Sequence, residues 1–538
     1  VSAFTGDQIA NLTTAQIDAL ERPQISALRP AQISALRADQ VAILDTSDIQ
    51  ALSVAQIGAL TNEHIQTLNT AQIEALTNVQ LAAVNINQIS LLNSDQIAAI
   101  ETRDITSLSL AQISNLNGTQ IAALTTGQVV ALTGKQVSTL SGDQLSALES
   151  LDLQALTTGQ MTALSTFQMG ALSADQIGLL VSDQIGALTV SQMRALSGAQ
   201  IAAIETDDLQ ALRAVQIAAL NAEQVAALTT SQITNLSGSQ ISNIAAQALA
   251  TLTAQQTLAI ESGDIGSLKL AQISALRAEQ VAAFSSDQII ALSTAQVAAL
   301  RADQVASLDS AQLAALEAQD FGALTTAQMR ALTADQLTSL STDNTSILKT
   351  AQLAALTADQ MTALDSEDFA NFSTAQIAAL RTHQIAAMET SDILALNAAQ
   401  IGTLSSAQLR ALTQSQIETL TTDHLSALKN TQITAFTTDQ IGWLKTDQVR
   451  DLNSAQLNAL TTQQLTSFSA NQITAIETSD LAALKTPLIS ALLATQVEAL
   501  TTDQIVAMTG LQFAALTTTQ IDALTTAQIR AMETTDVA

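Results

Sequence analysis

Residues Thr13–Leu20 have the sequence TTAQIDAL, and the rest of the chain repeats this stretch with small changes. If Thr13 is position 1 and Leu20 is position 8, position 4 falls on every residue number divisible by eight, from Gln8 to Asp536. No insertion or deletion breaks this frame over the 538 residues. Position 4 is occupied by 52 Gln, 10 Asp, 2 His and one each of Ala, Asn and Leu. The sequence therefore predicts a repeat protein whose unit, the octad, is eight residues long.

The composition is uniform from end to end, so we expect a single continuous array of about 67 octads over residues 1–538, without linkers. Both ends cut through an octad and lack a polar cap, so we expect a segment of a longer chain. Apolar residues make up 47% of the chain but aromatic residues only 2%, which predicts an aliphatic core. The net charge of −29 leads us to expect no nucleic-acid partner and no anionic membrane surface. No apolar run is long enough to span a bilayer, so we expect no membrane insertion.

Positions 1 and 4 of most octads form the S/T-x-x-Q pattern of a capping box, which starts a helix. The three prolines, Pro23, Pro30 and Pro487, all lie at positions 2 or 3, where a first helical turn tolerates them. Positions 5 and 8 are apolar and share one helix face, while position 7 is mostly Ala. The pattern predicts an all-α solenoid made of very short capped helices, one for each octad.

Two other folds compete with this prediction. In one uninterrupted helix the apolar stripe would rotate by about 80° per octad, so no partner surface could follow it. In a β-solenoid, two octads would form each 16-residue coil. Against that alternative, Ala, Gln and Leu favour helices, and the apolar positions 5, 7 and 8 do not alternate.

A longer rhythm runs through the octads that have Asp at position 4. All ten of them also carry Asp or Glu at position 1. These acidic octads contain Asp45/Asp48, Glu101/Asp104, Glu149/Asp152, Glu205/Asp208, Glu261/Asp264, Glu317/Asp320, Asp365/Asp368, Glu389/Asp392, Glu477/Asp480 and Glu533/Asp536. Their mean spacing is a little under seven octads, and five of the nine gaps are seven octads long. We therefore expect about seven octads in each turn of the superhelix.

The acidic octads are the only candidate metal sites. The calcium candidates are Glu101, Asp104, Glu205, Asp208, Glu261 and Asp264, because calcium takes several carboxylate oxygens. We favour a different interpretation, in which Asp replaces Gln as a first-turn acceptor and solvent takes its charge. We accordingly expect no cofactor, with calcium as the alternative.

No arrangement of side chains predicts catalysis. The histidines, His64, His383 and His424, are far apart in sequence and have no Cys companion, so the sequence predicts no zinc site. Each octad is nearly the same as the next, whereas an active site brings unlike groups together at one place. We expect no enzyme activity.

Two resemblances accompany this pattern. LNAEQVAAL (Leu220–Leu228) and LTADQMTAL (Leu356–Leu364) resemble the start of each repeat in TAL effectors, which implies only the short capped helix. The whole chain resembles the octapeptide-repeat regions of very large secreted bacterial surface proteins, such as biofilm-matrix and adhesin-like proteins. That resemblance implies an acidic structural protein located outside the cell or on the bacterial cell surface.

From these observations we expect a structural protein that forms an extracellular filament, stalk or matrix fibre by repeat stacking and end-to-end self-association. The expected partner is the chain itself, with a polysaccharide or a cell surface as a further partner. The alternative is a surface adhesin, or an array of Thr side chains that binds ice or polysaccharide. An intracellular interaction scaffold is the third option, because other solenoids bind partners in a concave groove.

Overall fold

The computed structural model describes residues 1–532, and over that range it contains helices and turns but no strand. The chain forms two compact units, Val1–Leu276 and a second one that begins at Arg277. Each unit is a helical solenoid in which nearly every octad forms one helix. The fold class predicted from the capping pattern is thus confirmed, and the β-solenoid alternative is wrong. The prediction of one continuous array over residues 1–538 stays a prediction.

The helices of the first unit are Gly6–Ala10, Thr14–Asp18, Arg22–Ser26, Pro30–Ile33, Ala38–Ala42, Thr46–Ala51, Val54–Ile57, Asn62–Thr67, Thr70–Glu74, Asn78–Leu81, Ile86–Ile89, Ser94–Ala98, the 3₁₀ turn Ile105–Ser107, Leu110–Ser114, Gly118–Ala122, Thr126–Ala131, Gly134–Ser138, Gly142–Ser146, Ser150–Ala155, Thr158–Ala163, Thr166–Ala171, Ala174–Gly178, Ser182–Ala187, Val190–Ala195, Gly198–Ala203, Thr206–Leu209, Ala214–Ile217, Ala222–Ala226, Thr230–Thr234, Gly238–Asn243, Ala246–Leu249, Ala254–Leu258, Ser262–Ile265 and Leu270–Ala275.

Those of the second unit are Ala278–Ala282, Ser286–Ile290, Thr294–Ala299, Ala302–Ala306, Ser310–Ala315, Ala318–Phe321, Thr326–Ala331, Ala334–Thr338, Thr342–Ser346, Thr350–Leu353, Ala358–Met361, Ser366–Asn371, Thr374–Ala379, Thr382–Ala387, Thr390–Ala395, Ala398–Ile401, Ser406–Arg410, Gln414–Ile417, Thr422–Ala427, Asn430–Ile433, Thr438–Gly442, Thr446–Arg450, Ser454–Leu457, Thr462–Thr466, Ala470–Ala475, Thr478–Ala482, Thr486–Ile489, Ala494–Ala499, Thr502–Ala507, Gly510–Ala514, Thr518–Asp522 and Thr526–Ala531.

Where a helix is six residues long, as in many octads, two consecutive extended residues separate it from the next. In the octad that begins at Ser197, the helix Gly198–Ala203 lies between Ser197 (φ −74°, ψ 163°) and Ile204 (φ −61°, ψ 129°), and both flanking residues are extended. The chain thus changes direction without a left-handed residue, and none of the described residues has a positive φ. This explains why 18 glycines suffice for the whole array.

The core of each unit is built from positions 5 and 8. Ile217 and Leu220 are typical, being 0% and 4% exposed. Position 7 is small because it touches the start of a helix in another turn: a Cβ added to Gly142 would lie only 2.8 Å from the Cβ of Ala171. Helices of this length are unstable alone in water, so packing between turns supplies their stability.

One superhelical turn takes three and a half octads and not the expected seven. Within each unit, nearly every helix packs against the third helix along the chain. Inter-turn hydrogen bonds reach a residue 28 positions earlier, as from Gln360 to Leu332. The seven-octad spacing of the acidic octads is therefore two turns. The regular spacing of acidic octads in a sequence is the same for one turn of seven octads and for two turns of three and a half octads.

None of the described helices combines the length and apolar character that a bilayer span requires.

Candidate functional site

The Gln side chain at position 4 joins each turn to the one before it. In the octad of Gln192, the backbone N–H of Thr189 donates to Gln192 Oε1 at 2.8 Å, and the Thr189 hydroxyl accepts from the Gln192 backbone N–H at 3.2 Å. This is the predicted capping box. Gln192 Nε2 also donates to the carbonyl oxygens of Met161 at 2.7 Å and Leu164 at 2.8 Å, on the preceding turn. The buried amide of Gln192 therefore caps its own helix and also forms hydrogen bonds with the preceding turn.

The inter-turn bonds explain why position 4 is Gln. Glu suits a capping box equally well, yet it never occurs at position 4. A carboxylate has no N–H to donate, so it would face two carbonyl oxygens from a buried site. The capping role was predicted from the sequence and the inter-turn role was not. The complete absence of Glu was the signal that could have revealed it.

The two histidines at position 4 take over both roles of Gln. His64 Nδ1 accepts from the Thr61 backbone N–H at 3.1 Å, and its Nε2 lies 2.8 Å from the carbonyl oxygen of Leu36. Since a carbonyl only accepts, Nε2 carries the proton. His424 makes the equivalent contact with Leu396 at 2.7 Å. Both histidines therefore use their ring nitrogens for structural hydrogen bonds and not as metal ligands.

Asp at position 4 cannot make the inter-turn bonds, and in several acidic octads it accepts a hydrogen bond from a hydroxyl group on the preceding turn. The hydroxyl lies at position 2 and contacts Oδ1 in Thr126–Asp152 at 2.7 Å, Ser182–Asp208 at 2.5 Å and Thr294–Asp320 at 2.6 Å. The carbonyl that a Gln would have contacted, such as that of Leu124 below Asp152, then receives no side-chain donor from any described residue. Each of these acidic octads therefore interrupts the series of Gln bonds.

Burial changes the acidity of several of these carboxyl groups. Burial raises the pKa of Asp392 to about 6, although the hydrogen bond from the backbone N–H of Glu389 acts in the opposite direction and lowers the pKa. Asp392 is only 2% exposed. Burial is also the first cause of a raised pKa at four others, namely Asp48, Asp104, Asp368 and Asp480. Asp368 and Asp392 are only 6% and 2% exposed, so the interpretation that solvent takes the charge at position 4 does not fit these two residues.

The first calcium candidate, Glu101 with Asp104, is an ion pair with a neighbouring arginine. The Arg103 guanidinium contacts the Glu101 carboxylate and lies 3.8 Å from Asp104 Oδ2. The octad forms a 3₁₀ turn, Ile105–Ser107, where the others form an α-helix. Arg103 thus supplies the countercharge that a cation would have provided.

The other calcium candidates lie in separate octads. Asp208 accepts from Ser182, while Glu205 makes no capping bond. Glu261 and Asp264 line an open groove of about 530 Å³ together with uncharged polar residues and Leu236. Nowhere among the described residues do three carboxylate, His or Cys groups come together to hold a metal ion. The last acidic pair, Glu533 and Asp536, lies outside the described residues.

The repeat matches a known family over most of its length. Ten segments match the ALTTAQ repeat, and together they cover more than half of the chain. The chain belongs to the ALTTAQ repeat family. The matched segments are residues 17–54, 41–78, 97–134, 145–182, 201–238, 257–294, 313–349, 361–389, 385–422 and 473–510. No curated protein matches the sequence.

The ALTTAQ repeat is in phase with the acidic octads. Every one of the ten segments begins half an octad before an octad with an acidic residue at position 1. Those residues are Glu21, Asp45, Glu101, Glu149, Glu205, Glu261, Glu317, Asp365, Glu389 and Glu477. Nine of them begin acidic octads, and Glu21 begins an octad with Gln24 at position 4. The acidic octad is therefore a regular part of a longer repeat and not a local irregularity.

Similar solved structures include three complexes of one protein. "Structure of APUM23-GGAAUUGACGG" is 12% identical and covers 98% of this chain and 96% of that chain, with a TM-score of 0.14. "Structure of APUM23-deletion-of-insert-region-GGAAUUGACGG" is 12% identical with coverages of 83% and 92% and a TM-score of 0.15. "Structure of APUM23-GGAUUUGACGG" is 12% identical with coverages of 98% and 92% and a TM-score of 0.12.

These names pair APUM23 with sequences that contain U, the base of RNA. The expectation that nucleic acid is excluded as a partner, which rested on net charge alone, does not stand against them and is withdrawn. At these TM-scores the likeness carries no argument that this ALTTAQ repeat chain itself binds RNA.

Proposed function

We propose that the ALTTAQ repeat chain is a structural segment of an extracellular filament, stalk or matrix fibre. The observation that supports this most is the repeated Gln contact. Gln192 in the first unit and Gln360 in the second make the same bonds to residues 31 and 28 positions earlier. Because each turn offers the next one the same acceptors, further octads find the same environment. Such an array supplies length and stiffness, and its growth requires no specialised unit.

Self-association follows from the same geometry. A turn that ends one array presents carbonyl acceptors of the kind that Gln side chains contact elsewhere. A second copy can donate to them, which is a head-to-tail contact that extends without closing. The proposal therefore includes end-to-end association of copies, in addition to long single chains.

The Thr side chains support a structural role over an ice-binding one. Binding to ice needs a flat array of hydroxyl and methyl groups, which a β-solenoid would offer. At position 1 the hydroxyl is instead turned toward its own helix, as in Thr357, which accepts from the Gln360 backbone N–H at 3.2 Å. This orientation of the hydroxyl argues against the ice-binding alternative.

Electron microscopy of the purified full chain at increasing concentration tests the structural part. We expect thin elongated particles that lengthen with concentration, and compact globules at all concentrations would overturn it. Antibody labelling of the source cells tests the location separately. Labelling of intact cells is expected, while labelling only after permeabilisation would overturn the extracellular assignment.

A further inference from the structure

A groove in the second unit is lined by three basic side chains. Arg330, Arg381 and His383 border a cavity of about 510 Å³, together with the hydroxyl-bearing residues Thr326 and Thr357. None of the lining residues is acidic. This stands out in a chain that has 48 acidic residues and 19 Lys and Arg.

The basic groups of this groove are free to bind a ligand. Neither arginine nor His383 has an ion pair or a side-chain hydrogen bond with any residue that the structure describes. Elsewhere, Arg37 pairs with Asp39 at 3.0 Å, and Arg410 Nε donates to the Ala435 carbonyl at 2.9 Å.

The superhelical register places these groups together. Arg330 belongs to the octad that spans 325–332 and Arg381 to the octad that spans 381–388, and these two octads begin seven octads, or two turns, apart. Between the two arginines along the chain, the lining residues are mostly small, namely Ala351, Ala354, Ala355, Thr357 and Ala358, with Leu356 as the one large side chain. The groove is therefore open because most side chains between the two arginine-bearing turns are small.

The basic surface is local. The neighbouring octads carry the exposed acidic residues Asp335, Asp343 and Asp359 at position 3, so no continuous basic track leads away from the groove. A ligand that uses all three basic groups must therefore fit within the groove.

We propose that this groove binds a small organic anion that carries two or more carboxylate, sulfate or phosphate groups. Each guanidinium can hold one such group through two parallel hydrogen bonds. The imidazole and the two threonine hydroxyls add further hydrogen bonds. A volume of about 510 Å³ exceeds what one inorganic oxyanion fills and lies within the usual range of small-molecule sites.

Isothermal titration calorimetry on the full chain tests this proposal at constant ionic strength. The probes are citrate, a hexose bisphosphate and acetate. We expect one site for citrate or for the bisphosphate, and at least about tenfold weaker binding of acetate, which engages only one arginine. The stronger of the two polyvalent probes identifies carboxylate or phosphate as the preferred group. No binding of either one would overturn the proposal.

Three variants locate the site. Arg330→Gln and Arg381→Gln should each weaken binding at least about tenfold. Ala354→Leu should block binding while leaving all charges in place, and position 6 already accepts the large residues Ile290 and Leu394. The matched control is Arg194→Gln, which also lies at position 6 in a similar octad, and it should leave binding unchanged. Equal losses in the control and in the groove variants would overturn the assignment.

A short single-stranded RNA serves as the last probe. If RNA binds through Arg330 and Arg381 while citrate and the bisphosphate do not, the groove serves a polymer and the small-anion proposal is wrong. This inference does not depend on the proposed structural function, because a filament can bind a small anion or fail to do so.

Discussion

The hydroxyl of Thr345 donates a hydrogen bond of 2.5 Å to Oδ1 of Asp368, and both side chains are buried. Thr345 lies at position 5, where nearly every other octad has an apolar residue. Asp368 lies at position 4, where it replaces Gln. The two exceptions to the repeat therefore satisfy each other. The irregular Thr at position 5 is the partner of a buried carboxylate.

This pairing predicts a coupled effect on stability. Thr345→Val should lower the free energy of unfolding by about 1–3 kcal/mol, because a buried carboxylate loses its donor. It should also raise the pKa of Asp368 further, since burial already raises that pKa and the hydroxyl lowers it. Urea unfolding at pH 7 measures the first effect. The double variant Thr345→Ile with Asp368→Gln restores the usual residue types at these two positions and should be at least as stable as the parent, whereas additive losses would contradict the pairing.

Position 4 should discriminate between Glu and His in an order that helix capping alone does not predict. Gln192→Glu keeps the acceptor for the Thr189 N–H but loses the donors to Met161 and Leu164. We expect a loss of about 2–5 kcal/mol in the free energy of unfolding. Gln192→His should retain most of the stability, because His64 already makes both kinds of contact. Thermal unfolding followed by circular dichroism distinguishes the two, and a Glu variant as stable as the parent would refute the inter-turn role.

Asp392 should make the stability of its octad depend on pH. Its pKa in the folded state is raised to about 6 from the ordinary 3.8, so the folded state disfavours the ionised form. The free energy of unfolding should therefore fall by at most about 3 kcal/mol as the pH rises from about 4 to above 6. Asp392→Gln removes the carboxyl group and supplies donors for Met361 and Leu364. Its stability relative to the parent should rise over that pH range, and a difference that is constant with pH would contradict this.

Helix capping should contribute measurably where position 1 has a hydroxyl group. Thr437→Ala should cost about 1 kcal/mol, because the Thr437 hydroxyl accepts from the Gln440 backbone N–H at 3.1 Å. Lys445→Ala in the next octad is the matched control, since the Lys445 side chain makes no capping bond. Hydrogen exchange of the two octads reports the local effect, with faster exchange expected only after the Thr437 change. Equal effects would show that the capping hydroxyl is not important.

Much of the fold follows from local rules that a sequence displays. Thr or Ser at position 1 with Gln at position 4 starts a helix, and apolar residues at positions 5 and 8 select its buried face, so the short helices were predictable. The length of a turn was not, because it depends on the angle that two extended residues introduce between helices. The local sequence around a residue does not indicate which residue of the adjacent turn it contacts. The pairing of Thr345 with Asp368 was missed for the same reason.

The candidate sites were less predictable than the fold. Calcium was the alternative for the paired carboxylates, but Arg103 pairs with Glu101, and the Ser182 hydroxyl donates a hydrogen bond to Asp208. The groove of Arg330 and Arg381 left no trace in the sequence, because its two arginines belong to octads that begin seven octads apart. Only the superhelical register brings them to one place.

Each Gln side chain contacts the backbone carbonyls of residues at a fixed distance along the chain, whatever the types of those residues. Deleting or duplicating one whole octad leaves every later Gln facing a position-5 and a position-8 carbonyl, so the gene can lose or gain eight codons at a time without creating a defect in these contacts. The gaps of three, six and eleven octads between acidic octads differ from seven by whole octads, which is the result expected from deletion or duplication of whole octads. Only contacts that depend on a particular residue, such as the hydroxyl of Thr126 on Asp152, record where an octad was lost or copied.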